Sequence, residues 1–274
     1  MHKFFITVYF TFTAGLMNAQ SIYSALHLNE EREYKTVRPK KIVETNIFYN
    51  SNSKQTDRNI KLFDGAGMLL SEERFDENGK LKARLKYIND TLHRLILSDT
   101  FERWSQFGQF KEITFFSYDA NHFLKQIYTQ DENGVTLRLA EMINDEKGNP
   151  VELLLSDGNG NSFGKEKAEY LYEKNKVVTA VISKEGKILS TDTSKISYKN
   201  ARLFAGTDES FNDKGDLVYW TSKTISGKEL IYEEKYFYDH VGNWTENKIY
   251  KITVKLNGER EKEIDRIFKK EYTY

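Results

Sequence analysis

The sequence predicts an all-β fold: a long up-and-down antiparallel meander of β-hairpin repeats, about 16 or 17 strands in one curled or spiral sheet. Three observations predict it. A short Asp-x-x-Gly pattern recurs along the chain, apolar and polar residues alternate with a period of two between its copies, and the composition favours strands. Aromatic residues make up 14% of the chain and prolines number only 2, which suits a sheet and argues against disorder despite 30% charged residues.

The corners set the length of every strand. Full copies stand at Phe63-Asp64 to Gly67, Phe75-Asp76 to Gly79, Gln130-Asp131 to Gly134, Asn144-Asp145 to Gly148 and Ser156-Asp157 to Gly160. Two more follow at Asn212-Asp213 to Gly215 and Tyr238-Asp239 to Gly242, with degenerate copies at Tyr118-Asp119 and Ser183 to Gly186. Asp at the first position of a type I turn accepts a hydrogen bond from the backbone two residues on, and Gly at the fourth supplies the left-handed conformation of a bulged hairpin. The Asp and Gly residues are thereby accounted for by turn geometry, and do not count as ligands or catalysts. Asp64 to Asp76 and Asp145 to Asp157 are each 12 residues, Asp131 to Asp145 is 14, and Asp213 to Asp239 is 26 with a weaker turn at Ser226-Gly227 midway. Weaker turns at Asn89-Asp90, Gln106 to Gly108, Lys174-Asn175, Lys199-Asn200 and Asn257-Gly258 fill the other gaps. Sequential turns then lie on alternating edges of the sheet.

Between corners the alternation is that of a sheet with one face buried. Leu81, Ala83, Leu85 and Tyr87 share one face, opposite Lys82, Arg84 and Lys86. Tyr250, Ile252, Val254 and Leu256 share another, and so do Ile264, Phe268 and Tyr272 in the last strand. Phe110 to Tyr118 carries apolar residues on both sides and reads as covered on both faces.

The N-terminus is different. A basic start at Met1-His2-Lys3 precedes an uncharged run from Phe4 to Leu16, with small residues up to Ala19. This is the pattern of a secretory signal peptide over residues 1–19, cleaved after Ala19, and it is shorter than the ~20 apolar residues of a membrane span. An N-terminal strand is the plainer alternative, but no other uncharged run of this length occurs in the chain. Residues 20–41 form an extended or partly helical lead-in, and residues 42–274 form the sheet domain. With 0 cysteines there is no disulfide and no lipid-bearing N-terminal cysteine, which suits bacterial export to the periplasm, the outer surface or the medium.

The unit Tyr238-Asp239-His240-Val241-Gly242-Asn243-Trp244 resembles the YD repeat of bacterial RHS-type cell-surface proteins. The stretch from Tyr236 to Tyr274 matches best, and the looser copies extend the resemblance over most of residues 60–274. The resemblance implies an antiparallel sheet of hairpins that curls into a spiral or shell, and a surface location. It implies no activity.

Chemistry-bearing patterns are few. Basic and acidic residues balance at 41 each, without the basic face of a nucleic-acid binder. The 5 histidines (His2, His27, His93, His122, His240) are not at metal-ligand spacing, and neither a nucleophile elbow nor a phosphate loop occurs. Asp157, Asn159 and Asn161 place oxygens at the first, third and fifth positions of a calcium loop, but Ser162 stands where the sharp-turn Gly belongs and Ala168 at the twelfth position. Calcium is thus a weak candidate cofactor, and a polar hairpin loop is the simpler reading. Trp104, Trp220 and Trp244 form a candidate aromatic surface, set against a core role. The expectation is an exported, non-catalytic structural or binding module of the cell envelope, with a polymer, glycan or protein partner. The alternative is a carbohydrate-active enzyme or glycan-binding protein using the aromatic platform and distant carboxylates.

Overall fold

The computed structural model describes residues 21–28, 37–50, 53–197, 201–204, 209–223, 229–255 and 257–274. The signal segment 1–19 and the turns expected at Lys199-Asn200 and Ser226-Gly227 lie outside the described residues. The chain is all-β, with two short helices, α1 (Ile22–Leu26) and α2 (Ala201–Phe204). The first six strands are β1 (Lys41–Asn50), β2 (Ser53–Phe63), β3 (Leu69–Phe75), β4 (Leu81–Asp90), β5 (Leu95–Ser105) and β6 (Gly108–Tyr118). There follow β7 (Leu124–Asp131), β8 (Thr136–Asn144), β9 (Pro150–Asp157), β10 (Ser162–Leu171), β11 (Lys176–Ser183) and β12 (Ile188–Lys195). The last five are β13 (Ser210–Phe211), β14 (Leu217–Lys223), β15 (Glu229–Tyr238), β16 (Trp244–Val254) and β17 (Arg260–Thr273). No described helix is long and apolar enough to cross a membrane.

One antiparallel sheet contains all 17 strands. Hairpin neighbours pair in sequence from β1 to β12 and from β13 to β17. β1 pairs with β2 on one side and with β17 on the other, Lys41 facing Thr273. This pairing of first and last strands fixes a parity. Strict alternation over an odd number of strands would make β1 and β17 parallel, yet they are antiparallel. One connection must therefore return the chain in its previous direction. It lies between β12 and β13, which run the same way and which no register joins among the described residues. The sheet is a curled meander that is not closed.

Ten described turns repeat one geometry, in which the first residue's N–H bonds the fifth residue's carbonyl and the fourth N–H bonds the first carbonyl, as at Asp76–Lys80 (both 3.0 Å). The Asp carboxylate accepts from the third and fifth amides, at 3.0 and 2.9 Å for Asp76. The fourth residue has positive φ, satisfied by Gly in nine of the ten and by His122 (φ 65) in the other. The turn near 213 begins at Asn212, one residue earlier than the Asp-first pattern places it, and Asn212 does the work of the Asp. The turn near 257 begins at Lys255.

Three turns on one rim are clasped by tyrosines. Tyr172 donates to Asp145 Oδ2 and accepts from Asn149 Nδ2 (3.0 Å), and Tyr274 does the same with Asp239 and Asn243 (2.9 Å from the amide). At the Asn212 turn the two side chains are exchanged. Tyr238 accepts from Asn212 Nδ2 (2.7 Å) and donates to Asp216 Oδ2 (2.5 Å). Each clasp needs one carboxylate and one carboxamide at the first and fifth turn positions, in either order, which gives the Tyr-Asp-x-x-Gly-Asn pattern a physical basis. Lys147 and Lys214 cover the outer faces of the Tyr172 and Tyr238 rings, 3.4 and 3.5 Å from the ring centres. Burial and the neighbouring carboxylate raise the phenols of Tyr172, Tyr238 and Tyr274 above their ordinary value. Burial opposes ionisation of Asp145 and Asp239, but the tyrosine hydroxyl and the turn amides outweigh it and hold both carboxyls low.

Other contacts continue this rim. Arg38 and Arg94 both donate to Ala66 O (2.6 and 2.7 Å), and His93 stacks on His122 at 4.3 Å. Phe123 lies against Gly148, where any β-carbon would sit 2.4 Å from its ring. Across the seam, Arg202 of α2 donates to Asn212 O, and Lys195 of β12 lies 5.6 Å from the Phe204 ring centre.

The main core lies on one face of β6–β9, under α1. Ile22, Ala140 and Leu153 are fully buried there with Phe116, Leu124, Ile127 and Met142. Burying Ile22 contributes roughly 1.5–3 kcal/mol. Ser21 caps α1 by accepting from Ser24 N (3.1 Å). A second cluster, Ala83, Leu85 and Phe101, bears out the alternation read in β4. Two readings of strand faces need correction. In β6, Glu112, Thr114 and Phe116 are buried while Phe115 on the other face stacks on Tyr128 (4.8 Å), so the strand is not buried on both faces. In β17 a bulge opposite Ile249 and Tyr250 shifts the register, and Ile264 falls on the face opposite Phe268 and Tyr272.

Replacing Tyr172 by Phe removes a charge-assisted bond and is expected to lower unfolding free energy by roughly 1–2 kcal/mol in a denaturant titration, with the slope unchanged. The pH profile has two limbs. The carboxylate contribution is complete above 3.8 and is lost as pH falls through the lower folded value. The tyrosine contribution is complete below 10.0 and is lost as pH rises through the higher folded value. In Tyr172→Phe both limbs shrink.

Candidate functional site

The face that carries α1 changes character away from the core. From β14 round to β2 it presents aromatic rings, carboxylates and lysines, with the buried aliphatic side chains of Ile42 and Ile249 among them. Pairing of Trp220 with Tyr232 stacks their rings 4.1 Å apart, 15° from parallel. Glu234, two residues along β15, is the hub. It accepts from Trp220 Nε1 (2.8 Å), Tyr236 OH (2.8 Å) and Asn247 Nδ2 (2.7 Å). Tyr236 meets Trp244 edge-on at 6.2 Å, and Lys270 of β17 stands 3.9 Å above the Trp244 ring. Lys270 also reaches Glu44 of β1 at 3.8 Å, and Glu44 pairs with Lys61 of β2 at 2.9 Å. A continuous strip of contacts thus crosses six strands. Burial alone would raise the Glu44 carboxyl, but Lys61 and Lys270 outweigh it and hold it below the usual range.

Asn247 stands out within the strip. It is 6% exposed, and its Oδ1 is buried without a hydrogen-bond partner. Most buried polar atoms are paired.

Of the three tryptophans expected to form a surface, the sheet brings Trp220 and Trp244 together. Trp104 is on the opposite face of β5 from Phe101, with Arg84 5.6 Å from its ring centre, and does not join them. Glu234, Tyr236, Asn247, Lys270 and Glu44 carried no sequence signal. Their only cue was alternation that places polar residues where a single buried face would want apolar ones.

The calcium candidates form an ordinary turn. Asp157 Oδ1 accepts from the amides of Asn159 (2.9 Å) and Asn161 (2.8 Å), and Oδ2 accepts from Asn161 Nδ2 (2.8 Å). Both oxygens serve the hairpin. No group of three or more acidic or histidine side chains suited to a metal occurs among the described residues.

No protein-family model and no curated protein matches this chain. Among solved structures it is similar to a porin-like protein from Bacteroides uniformis, at 11% identity and TM-score 0.47, covering 87% of this chain and 98% of that one. It is also similar to TcdB2-TccC3, at 13% identity and TM-score 0.29, covering 74% of this chain and 15% of that one. At these scores neither likeness carries a functional argument.

Because Asp157 is engaged by its own turn, thermal melts in millimolar calcium and in chelator are expected to coincide. A midpoint raised by calcium would assign the loop to the metal instead.

Proposed function

We propose that this chain is an exported, non-catalytic binding module of the cell envelope, built from YD-like hairpin repeats, with a glycan ligand on the strip from Trp220 to Trp244. The observation that carries this reading is the frame of aromatic rings, Trp220, Tyr232, Tyr236 and Trp244, set round the Glu234 carboxylate. Aromatic rings beside a few fixed polar groups suit a sugar's apolar face and hydroxyl edge together.

Two features support binding over hydrolysis. Glycoside hydrolysis needs one carboxyl held protonated and a second ionised. In this strip Glu44 is kept ionised between two lysines, and Glu234 already accepts three protein donors. The sheet's chemistry also supports a place outside the lipid. Ion pairs stand on both faces: Glu44–Lys61 and Glu112–Arg138 on the α1 face, Glu73–Arg84 and Glu152–Lys165 on the other. A membrane-spanning barrel needs an apolar band around one face.

A glycan array and a hydrolase panel on residues 20–274 test the reading. Trp244→Ala and Asn247→Ala are each expected to weaken binding about tenfold, the former with an unchanged melt. Substrate turnover abolished by Glu234→Gln would make the chain a carbohydrate-active enzyme instead.

A further inference from the structure

Among the described residues, β12 is an open edge of the sheet. Ile188 through Thr193 are all exposed, Ile188 and Leu189 at 60% and 62%. β11 is its one paired neighbour among the described residues. Two bonds at its end fix which way its backbone points. Ile196 N–H donates to Asn175 O (3.0 Å), inward toward β11, whereas Lys195 O meets His27 Nε2 (3.1 Å). Alternation back along the strand turns the backbone groups of Thr191 and Thr193 outward, away from β11. The Thr193 amide is capped by Asp192 Oδ1 at 2.7 Å, the kind of guard that edge strands carry.

Direction and charge say what fits this edge. β12 and β13 run the same way, so one extended strand laid antiparallel to β12 is antiparallel to β13 as well. It is the only kind of added strand that can extend this sheet with antiparallel pairs on both sides. The registers put Glu166 beside Val181 and Ser190, and Asp192 one position further along the same face. Neither carboxylate forms an ion pair among the described residues. Glu166 accepts from the Ile22 amide of α1 at 2.5 Å, and burial together with Asp192 raises its carboxyl. The other face of the edge presents Ile188, opposite Ile182, with Leu189 in the bulge between Ile188 and Ser190.

We propose that β12 is a strand-addition site for an extended segment of a partner protein, with basic residues facing Asp192 and Glu166 and apolar residues beside Ile188. Main-chain bonds to Thr191 supply affinity, and the alternating basic and apolar side chains supply selectivity. The proposal is independent of the glycan reading, since the Trp220–Trp244 strip lies on other strands.

The test uses residues 20–274 and two fluorescent peptides, one alternating valine with lysine and one alternating valine with glutamate, read by anisotropy. The lysine peptide is expected to bind, with the glutamate peptide about tenfold weaker or more. Thr191→Pro removes an outward amide without touching the ladder to β11, and is expected to abolish binding while the melt stays unchanged. Asp192→Lys is expected to reverse the preference between the peptides. Three results would overturn the proposal: no binding of the lysine peptide, binding indifferent to Thr191→Pro, or a dimer in light scattering that Thr191→Pro dissociates. The last would make the occupant a second copy of this chain.

Discussion

β1 lies between β2 and β17, antiparallel to both, with Lys41 beside Thr273. This one pairing governs the rest of the sheet. It removes both chain-terminal strands from the edges, where unpaired backbone would otherwise stand. Combined with an odd number of strands, it forces one connection to break the hairpin rhythm. The break falls where α2 sits, and it leaves β12 with one paired neighbour among the described residues. The Trp220–Trp244–Glu44 strip also depends on it, because Glu44 meets Lys270 only across the β1–β17 ladder.

The local unit works with this constraint. Nine of the ten described five-residue turns have an Asp, Asn or Ser at the first position whose side chain accepts from the turn's own backbone, and on one rim a tyrosine from outside the turn clasps three of them. The clasp consumes the second carboxylate oxygen of Asp145 and Asp239, so residues that look like ligand donors in the sequence are structural. Chemistry is concentrated instead on the α1 face of β14–β17 and β1, where alternation supplies polar side chains to an interior position.

Much of the fold was legible because its information is local. Asp76 and Gly79 define a corner wherever they occur, and the spacing of such corners yields strand length and number. Leu85 and Ala83 show which face is buried. What was illegible depends on distant partners. Nothing near Lys41 specifies Thr273, and the tyrosines that clasp Asp145 and Asp239 come from another hairpin, at spacings set by intervening loops. Bulges matter too. A single extra residue at Asp265 turns Ile264 to the other face, which a strict period of two cannot show. That Trp220 and Trp244 share a face, and Trp104 does not join them, follows from parity along strands whose register only the assembled sheet defines.

The most direct test of this account is hydrogen exchange resolved to single amides. With β1 paired on both sides, the amides of Val43, Thr45 and Ile47 are expected to exchange as slowly as those of β16, while the Thr191 amide of β12 exchanges rapidly. Rapid exchange at alternate β1 positions, with β12 protected throughout, would contradict the β1–β17 pairing and move the open edge of the sheet to the chain terminus.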